Sequence, residues 1–255
     1  MLGKLLRYEF KALLRIMPAL YLALQAPALA AGINSLRLGF SPATTDILEQ
    51  GRITSVLYTI WPMMFSALIV VNLALVILRF RDNFLKDEGY LMFTLPVPTW
   101  QLVASKATAA LCTFLLTGIA GILSWLLFGL IIDPGNILKF TLLMFQQDLA
   151  RWNGADYASL IIGAVISLTI IFQQLCLMYA AMTVSQLVPR FRSLAGFGVY
   201  LAVLFILEYP LTRAVLTLPM TGVPRLLVIT LIEAAFAAFY LWCTSWLLKH
   251  TLNLE

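Results

Sequence analysis

The chain has 255 residues, of which 62% are hydrophobic and 11% charged, with a mean hydropathy of +0.93; soluble domains run near half apolar and a quarter charged, so a water-soluble globular protein is excluded. A formal net charge of +5 does not make a nucleic-acid face, because the 17 Lys and Arg residues are scattered over short loops rather than gathered on one surface. Crossing the hydrocarbon layer by helix takes roughly 20 apolar residues; six such stretches predict an all-α membrane protein, since a backbone in lipid must satisfy its own hydrogen bonds and the alternation of a spanning β-barrel is absent.

Residues 1–15 read as an amphipathic helix lying on the inner membrane surface. At about 100° per residue, Lys4, Arg7, Lys11 and Arg15 form one stripe and Leu2, Leu6, Phe10, Leu13 and Met17 another; the alternative is that the first span simply begins early. Pro18 allows a change of direction into a single transmembrane domain, residues 16–255. Its six spans are expected near Ile16–Leu36, Val56–Leu78, Ala107–Ile132, Ala158–Val184, Leu194–Tyr209 and Leu226–Leu248. The sequence "APALAAG" at Ala26–Gly32 imitates a signal-peptide cleavage site, but the apolar run is long enough to span and is expected to stay as the first transmembrane helix.

Of the connections, Leu38–Ser55 is too short to fold alone, and Phe80–Lys106 is the longest polar interruption. Asp133–Tyr157 opens on the turn signal "DPGN" and continues as "ILKFTLLMFQQDLARW", which suits a half-embedded helix at the outer surface. The stretch "LEYPLTRAVLTLPMTGVP", Leu207–Pro224, carries three prolines and a glycine. It suits a helix that breaks, dips into the outer leaflet and turns back.

Basic residues favour the cytoplasmic side. Eleven fall on the side of the N-terminus (Lys4, Arg7, Lys11, Arg15, Arg79, Arg81, Lys86, Lys106, Arg190, Arg192, Lys249) and six on the other. Both termini are therefore predicted inside.

The search for catalysis is negative. No G-x-x-x-x-G-K-[ST] loop is present to hold ATP, the one histidine, His250, lies past the last span, and the aspartates fall outside the spans, so an enzyme is not expected. Cys112, Cys176 and Cys243 lie in apolar runs and read as small core residues, neither disulfide-bonded nor metal ligands. Glu208 and Glu233 do lie at membrane depth, where a carboxylate must face protein or water or be protonated. Arg213 or Arg225 is the expected partner of Glu208, either pinning the helix break or lining a pathway; Glu233 has no obvious partner and is the better functional candidate. Gly163-x-x-x-Ser167 and Ala234-x-x-x-Ala238 are spaced for close helix approach.

Within the long polar interruption, "KDEGYLMFTL" places Asp87 and Glu88 before a run containing Tyr90, Leu91, Met92 and Phe93. Acids at a helix start complement its dipole, Pro96 and Pro98 stop the helix, and Thr99 is expected to cap the next one. The result is a short cytoplasmic helix, acidic at one end and apolar on a face, with nothing in this chain large enough to cover it. Its acids make it a poor fit to an anionic leaflet.

"LGKLLRYEFKALLRIM" at the start, together with "DEGYLMFTLPVPTWQLVASK" after the second span, resembles the permease subunits of bacterial ABC-2 type transporters. The chain is most similar to the six-span permeases linked to lantibiotic and antimicrobial-peptide export and immunity. The resemblance implies the ABC-2, type V exporter-like fold in a bacterial plasma membrane. It also implies a second permease chain, identical or sister, and two cytoplasmic ATPase subunits that carry the ATP and Mg while this chain holds no cofactor. Asp87, Glu88, Tyr90, Leu91 and Phe93 would form the coupling helix docked in the ATPase, residues 1–15 the interfacial helix beside it, and Glu208, Arg213 and Glu233 the pathway or gate. The implied activity is export of a hydrophobic or amphipathic substrate such as an antimicrobial peptide, drug or lipid. The alternative is a membrane receptor or assembly factor that recruits a protein through the same loop without transporting anything.

Overall fold

The computed structural model describes residues 2–37, 51–84, 97–132, 153–188, 191–217, 219 and 222–250, and among these every regular element is a helix. In chain order they are α1 (Leu2–Leu13), α2 (Met17–Arg37), α3 (Gly51–Phe84), α4 (Thr99–Ile132), α5 (Gly154–Ser185), α6 (Arg192–Val203), a π turn (Leu204–Glu208), α7 (Tyr209–Thr217) and α8 (Val223–His250). Five stretches are long and apolar enough to cross a membrane: Thr59–Phe84, Thr99–Ile131, Asp156–Ser185, Leu194–Thr217 and Val223–His250. A sixth is reached when α1 and α2, bent by 44° at their junction, are counted together.

That junction is a turn over residues 14–16, and Pro18 follows as the second residue of α2, where its missing N–H costs no helical bond. Lys4, Arg7 and Lys11 on α1 and Arg15 in the turn are exposed while Leu13 and, past the turn, Met17 are buried, the two faces that the periodicity predicts. α4 begins at Thr99 itself: the Gln101 N–H donates to the Pro98 carbonyl at 2.9 Å, placing the cap one residue earlier than expected. At the start of α5 the Asn153 N–H donates to Asp156 Oδ2 at 2.8 Å, closing the first turn.

The helix break expected from Leu207 does not occur before Thr217. The chain stays helical from Arg192 to Thr217, and the apolar stretch runs 24 residues, Leu194–Thr217, rather than ending at Tyr209. Pro210 is accommodated by the π turn before it, in which the Tyr209 N–H donates to the Leu204 carbonyl, five residues back. Widening the helix there eases the clash between a proline ring and the carbonyl four residues upstream. The predicted outer helix within 133–152 and the loop 38–50 lie outside the described residues.

The chain divides into two compact units. One contains residues 1–10, 76–111 and 152–255, and is built on α5 packed against α8 and α6, with the π turn contacting α6 and α7. Phe80 is stacked on the buried Tyr179 at 4.2 Å between centroids and meets Phe84 edge-on at 5.1 Å. Phe191, before α6, is left-handed at φ 62°, as is Gly222 before α8 at φ 67°, where only the latter is free of steric penalty.

The other unit contains residues 11–75 and 112–151, hence α2, most of α3 and the second half of α4. Without a hydrophobic force between helices in lipid, contact there depends on close packing and interhelical hydrogen bonds. A stripe of α4 with 4, 3, 4 spacing supplies them. Thr113 Oγ1 donates to Asn72 Oδ1, Asn72 Nδ2 donates to Thr117 Oγ1, Gln25 Nε2 donates to the Ala120 carbonyl, and Trp61 Nε1 donates to Ser124 Oγ at 2.7 Å. Tyr21 adds a bond to the Thr113 carbonyl. Gly121, on the same stripe, lets the Phe65 ring approach so closely that a Cβ would lie 2.4 Å from it, and Gly32 is packed against Ile131. Gly163, singled out by its spacing, has no such neighbour.

Candidate functional site

The polar centre of the first unit is built around the π turn. Insertion of one residue into the helical repeat turns Glu208 inward, and only 8% of it is exposed. Its carboxylate accepts from Gln173 Nε2 at 2.5 Å and Gln174 Nε2 at 2.9 Å, both on α5, and from the Tyr240 hydroxyl of α8 at 2.7 Å. Tyr200 of α6 donates to Gln174 Oε1 at 2.7 Å, extending the network to a fourth helix segment. Three neutral donors thus occupy three of about four acceptor positions of a carboxylate.

Arg213, expected to pair with Glu208, instead donates from Nε to the Tyr209 hydroxyl at 3.1 Å and lies over the Tyr209 ring at 5.6 Å. Four residues separate them on one helix, so each is the other's nearest neighbour, while the π turn rotates Glu208 away. Glu233, seven residues and two helical turns before Tyr240 on the same face of α8, is half-buried and has no hydrogen bond or ion pair among the described residues.

A second cluster joins α1 to the helix ends on either side of segment 85–98. Glu9 is buried, and its carboxylate pairs with Lys106 Nζ of α4 at 2.5 Å and Arg79 Nε of α3 at 3.4 Å. Lys106, counted above among the basic residues of the inner side, is buried, and its ammonium also lies 5.0 Å from the Phe84 ring centre. Sequence reasoning passed over Glu9, although the signal was there: at 100° per residue it falls about 20° from Leu2, at the edge of the apolar stripe of α1. A carboxylate on an apolar face needs a buried partner. Gln173, Gln174 and Asn72, polar residues inside apolar spans, carried the same kind of signal.

Asp87, Glu88, Tyr90, Leu91 and Phe93 lie outside the described residues. Lys4, Arg7, Lys11 and Arg15 are exposed. His250 Nδ1 is 3.0 Å from the Trp246 carbonyl and its ring stacks on the Trp246 indole, a helix-end arrangement. Cys112, Cys176 and Cys243 are free thiols.

Helix content and the long apolar stretches define the class: a multi-pass α-helical membrane protein. Compared with models of known families, with curated proteins and with solved structures, the chain matches none.

Proposed function

We propose that the chain is the permease subunit of an ABC-2-like transporter in a bacterial plasma membrane, both termini cytoplasmic, that turns ATP-driven closure of a separate ATPase into export of a hydrophobic or amphipathic substrate. The permease works as a pair, with an identical or sister chain, on two ATPase subunits that hold ATP and Mg. Work is done by the nucleotide-bound ATPase favouring one permease conformation over another. Asp87, Glu88, Tyr90, Leu91 and Phe93 form the docking contact, and Glu208, Arg213 and Glu233 line the pathway or its gate.

The observation that carries this reading is the buried Glu9–Lys106–Arg79 cluster. Segment 85–98 joins the end of α3 to the start of α4, and these are the helix ends that Glu9 fastens to α1. A docking loop that must pass on force needs its two anchors held together, and a carboxylate shared by two cations holds them. Both α3 and α4 are 34-residue helices, α3 with Pro62 inside it.

The test is reversal of charge at Asp87 and Glu88. Both changed to lysine, the chain inserts normally but no longer co-purifies an ATPase in mild detergent; retention of the ATPase at normal stoichiometry refutes the docking assignment. Substrate-stimulated ATP turnover in liposomes then separates transport from recruitment without transport.

A further inference from the structure

The transport reading leaves the cargo chemically undefined, and the polar centre at the π turn narrows it. Resting on that reading, we infer that the Glu208–Glu233 centre of the first unit binds an organic ammonium group.

Two carboxylates lie there within apolar helices, and neither forms an ion pair among the described residues: Glu208 is held by the neutral donors Gln173, Gln174 and Tyr240, and Glu233 has no hydrogen-bond partner. The third open group is an acceptor as well. Gln173 is wholly buried; its Nε2 is bonded to Glu208, and the oxygen of the same amide, Oε1, has no hydrogen-bond partner. A buried acceptor left open beside a carboxylate costs free energy unless a donor meets it.

The unpartnered buried atom is an acceptor and the two acids repel an anion, so the centre favours a cation that brings its own N–H donors. The neighbouring surface is aromatic. Phe236 and Tyr240, three and seven residues after Glu233 and so on its face of α8, are stacked at 5.8 Å, and Phe239 meets Tyr240 edge-on at 5.8 Å. A carboxylate beside aromatic faces recognises an alkylammonium, the charge taken by the carboxylate and ring faces and the alkyl part by the ring surfaces. A bare metal ion is the weaker fit, since no three His, Cys, Asp or Glu side chains gather among the described residues and ring faces offer it no oxygen. The π turn turns Glu208 into the centre, and such turns recur where a helix carries a site.

The experiment uses the full chain purified in maltoside detergent and the fluorescent amine dansylcadaverine, with its N-acetyl derivative as the neutral counterpart. Dansylcadaverine binds saturably, its acetylated form at least about tenfold more weakly, and Glu233→Gln lowers affinity for the amine about tenfold while leaving the neutral form unchanged. Glu233 makes no hydrogen bond among the described residues, so this variant folds even if Glu208→Gln does not. Equal binding of the two probes, unaltered binding by Glu233→Gln, or displacement of the amine by sodium chloride but not by butylammonium chloride each overturns the assignment. Probe binding needs no ATPase: binding by a chain that recruits none keeps the site and removes the transport reading, whereas recruitment without amine binding does the reverse.

Discussion

Neutralising Glu9 tests the cluster that fixes α1. In Glu9→Gln the partner left behind is Lys106, whose side chain is 4% exposed, so its ammonium has little access to water. Coulomb's law at an effective dielectric constant near 20 gives the 2.5 Å contact an attraction of about 7 kcal/mol. Desolvating both ions takes back several kcal/mol. Removing one member of a buried pair costs about 3–5 kcal/mol, most of it the uncompensated charge that remains. Arg79, one-third exposed, can return to water and adds little. The loss falls on the attachment of α1, so the assay is protease accessibility of the N-terminal segment in detergent, alongside the thermal midpoint of the whole chain. About 3 kcal/mol raises the population of detached α1 by roughly two decades. Lys106→Met in the Glu9→Gln background removes the stranded charge and restores much of the protection. If Glu9→Gln leaves both protease accessibility and thermal midpoint unchanged, the pair does not hold α1 and the force-bearing role assigned to it fails.

Two further substitutions probe one unit each. Gly121→Ala drives a Cβ into the Phe65 ring, an overpacking cost of about 1–3 kcal/mol in thermal stability, and Phe65→Leu in the same chain recovers part of it; no loss in the single variant would mean that the ring moves aside freely. Tyr240→Phe deletes one of three donors to Glu208 and costs about 1–2 kcal/mol; because Gln173 and Gln174 remain, the variant stays folded, and a loss as large as complete unfolding would show that the network has no redundancy.

Five apolar stretches, and a sixth when α1 and α2 are counted together, were legible because hydrocarbon imposes a length and a composition that a single sequence displays. The two faces of α1 were legible for the same reason, through period. The fifth span misled because Pro210 lowers the expectation of helix by local chemistry alone, whereas the fold absorbs the proline in a π turn whose hydrogen bonds skip one residue more than usual. That turn also decided the partner of Glu208. An expected break in the helix put Arg213 within reach, but the π turn rotated Glu208 toward Gln173, Gln174 and Tyr240, which lie 35, 34 and 32 residues away in sequence. Periodicity carries no information about such distant pairings. Close-approach glycines were hidden in the same way: Gly163 has the familiar four-residue spacing and no close neighbour, while Gly121 lies against an aromatic ring whose position no one-dimensional pattern gives.

The two units use polar side chains differently. The seam of Asn72, Thr113, Thr117 and Ser124 is neutral throughout, and each member is bonded to another helix. Neutral amides and hydroxyls are the inexpensive way to join helices in lipid, worth near 1 kcal/mol each, so a seam of this kind needs no function beyond adhesion. Carboxylates are different. Moving one into an apolar layer costs several kcal/mol, and a glutamine at the same place would bond its neighbours without that cost. Glu9 offsets it with two cations; Glu208 and Glu233 have none among the described residues. A chain that keeps two uncompensated acids beside an open buried acceptor, where neutral residues would hold the helices together more cheaply, is shaped for something positively charged to arrive.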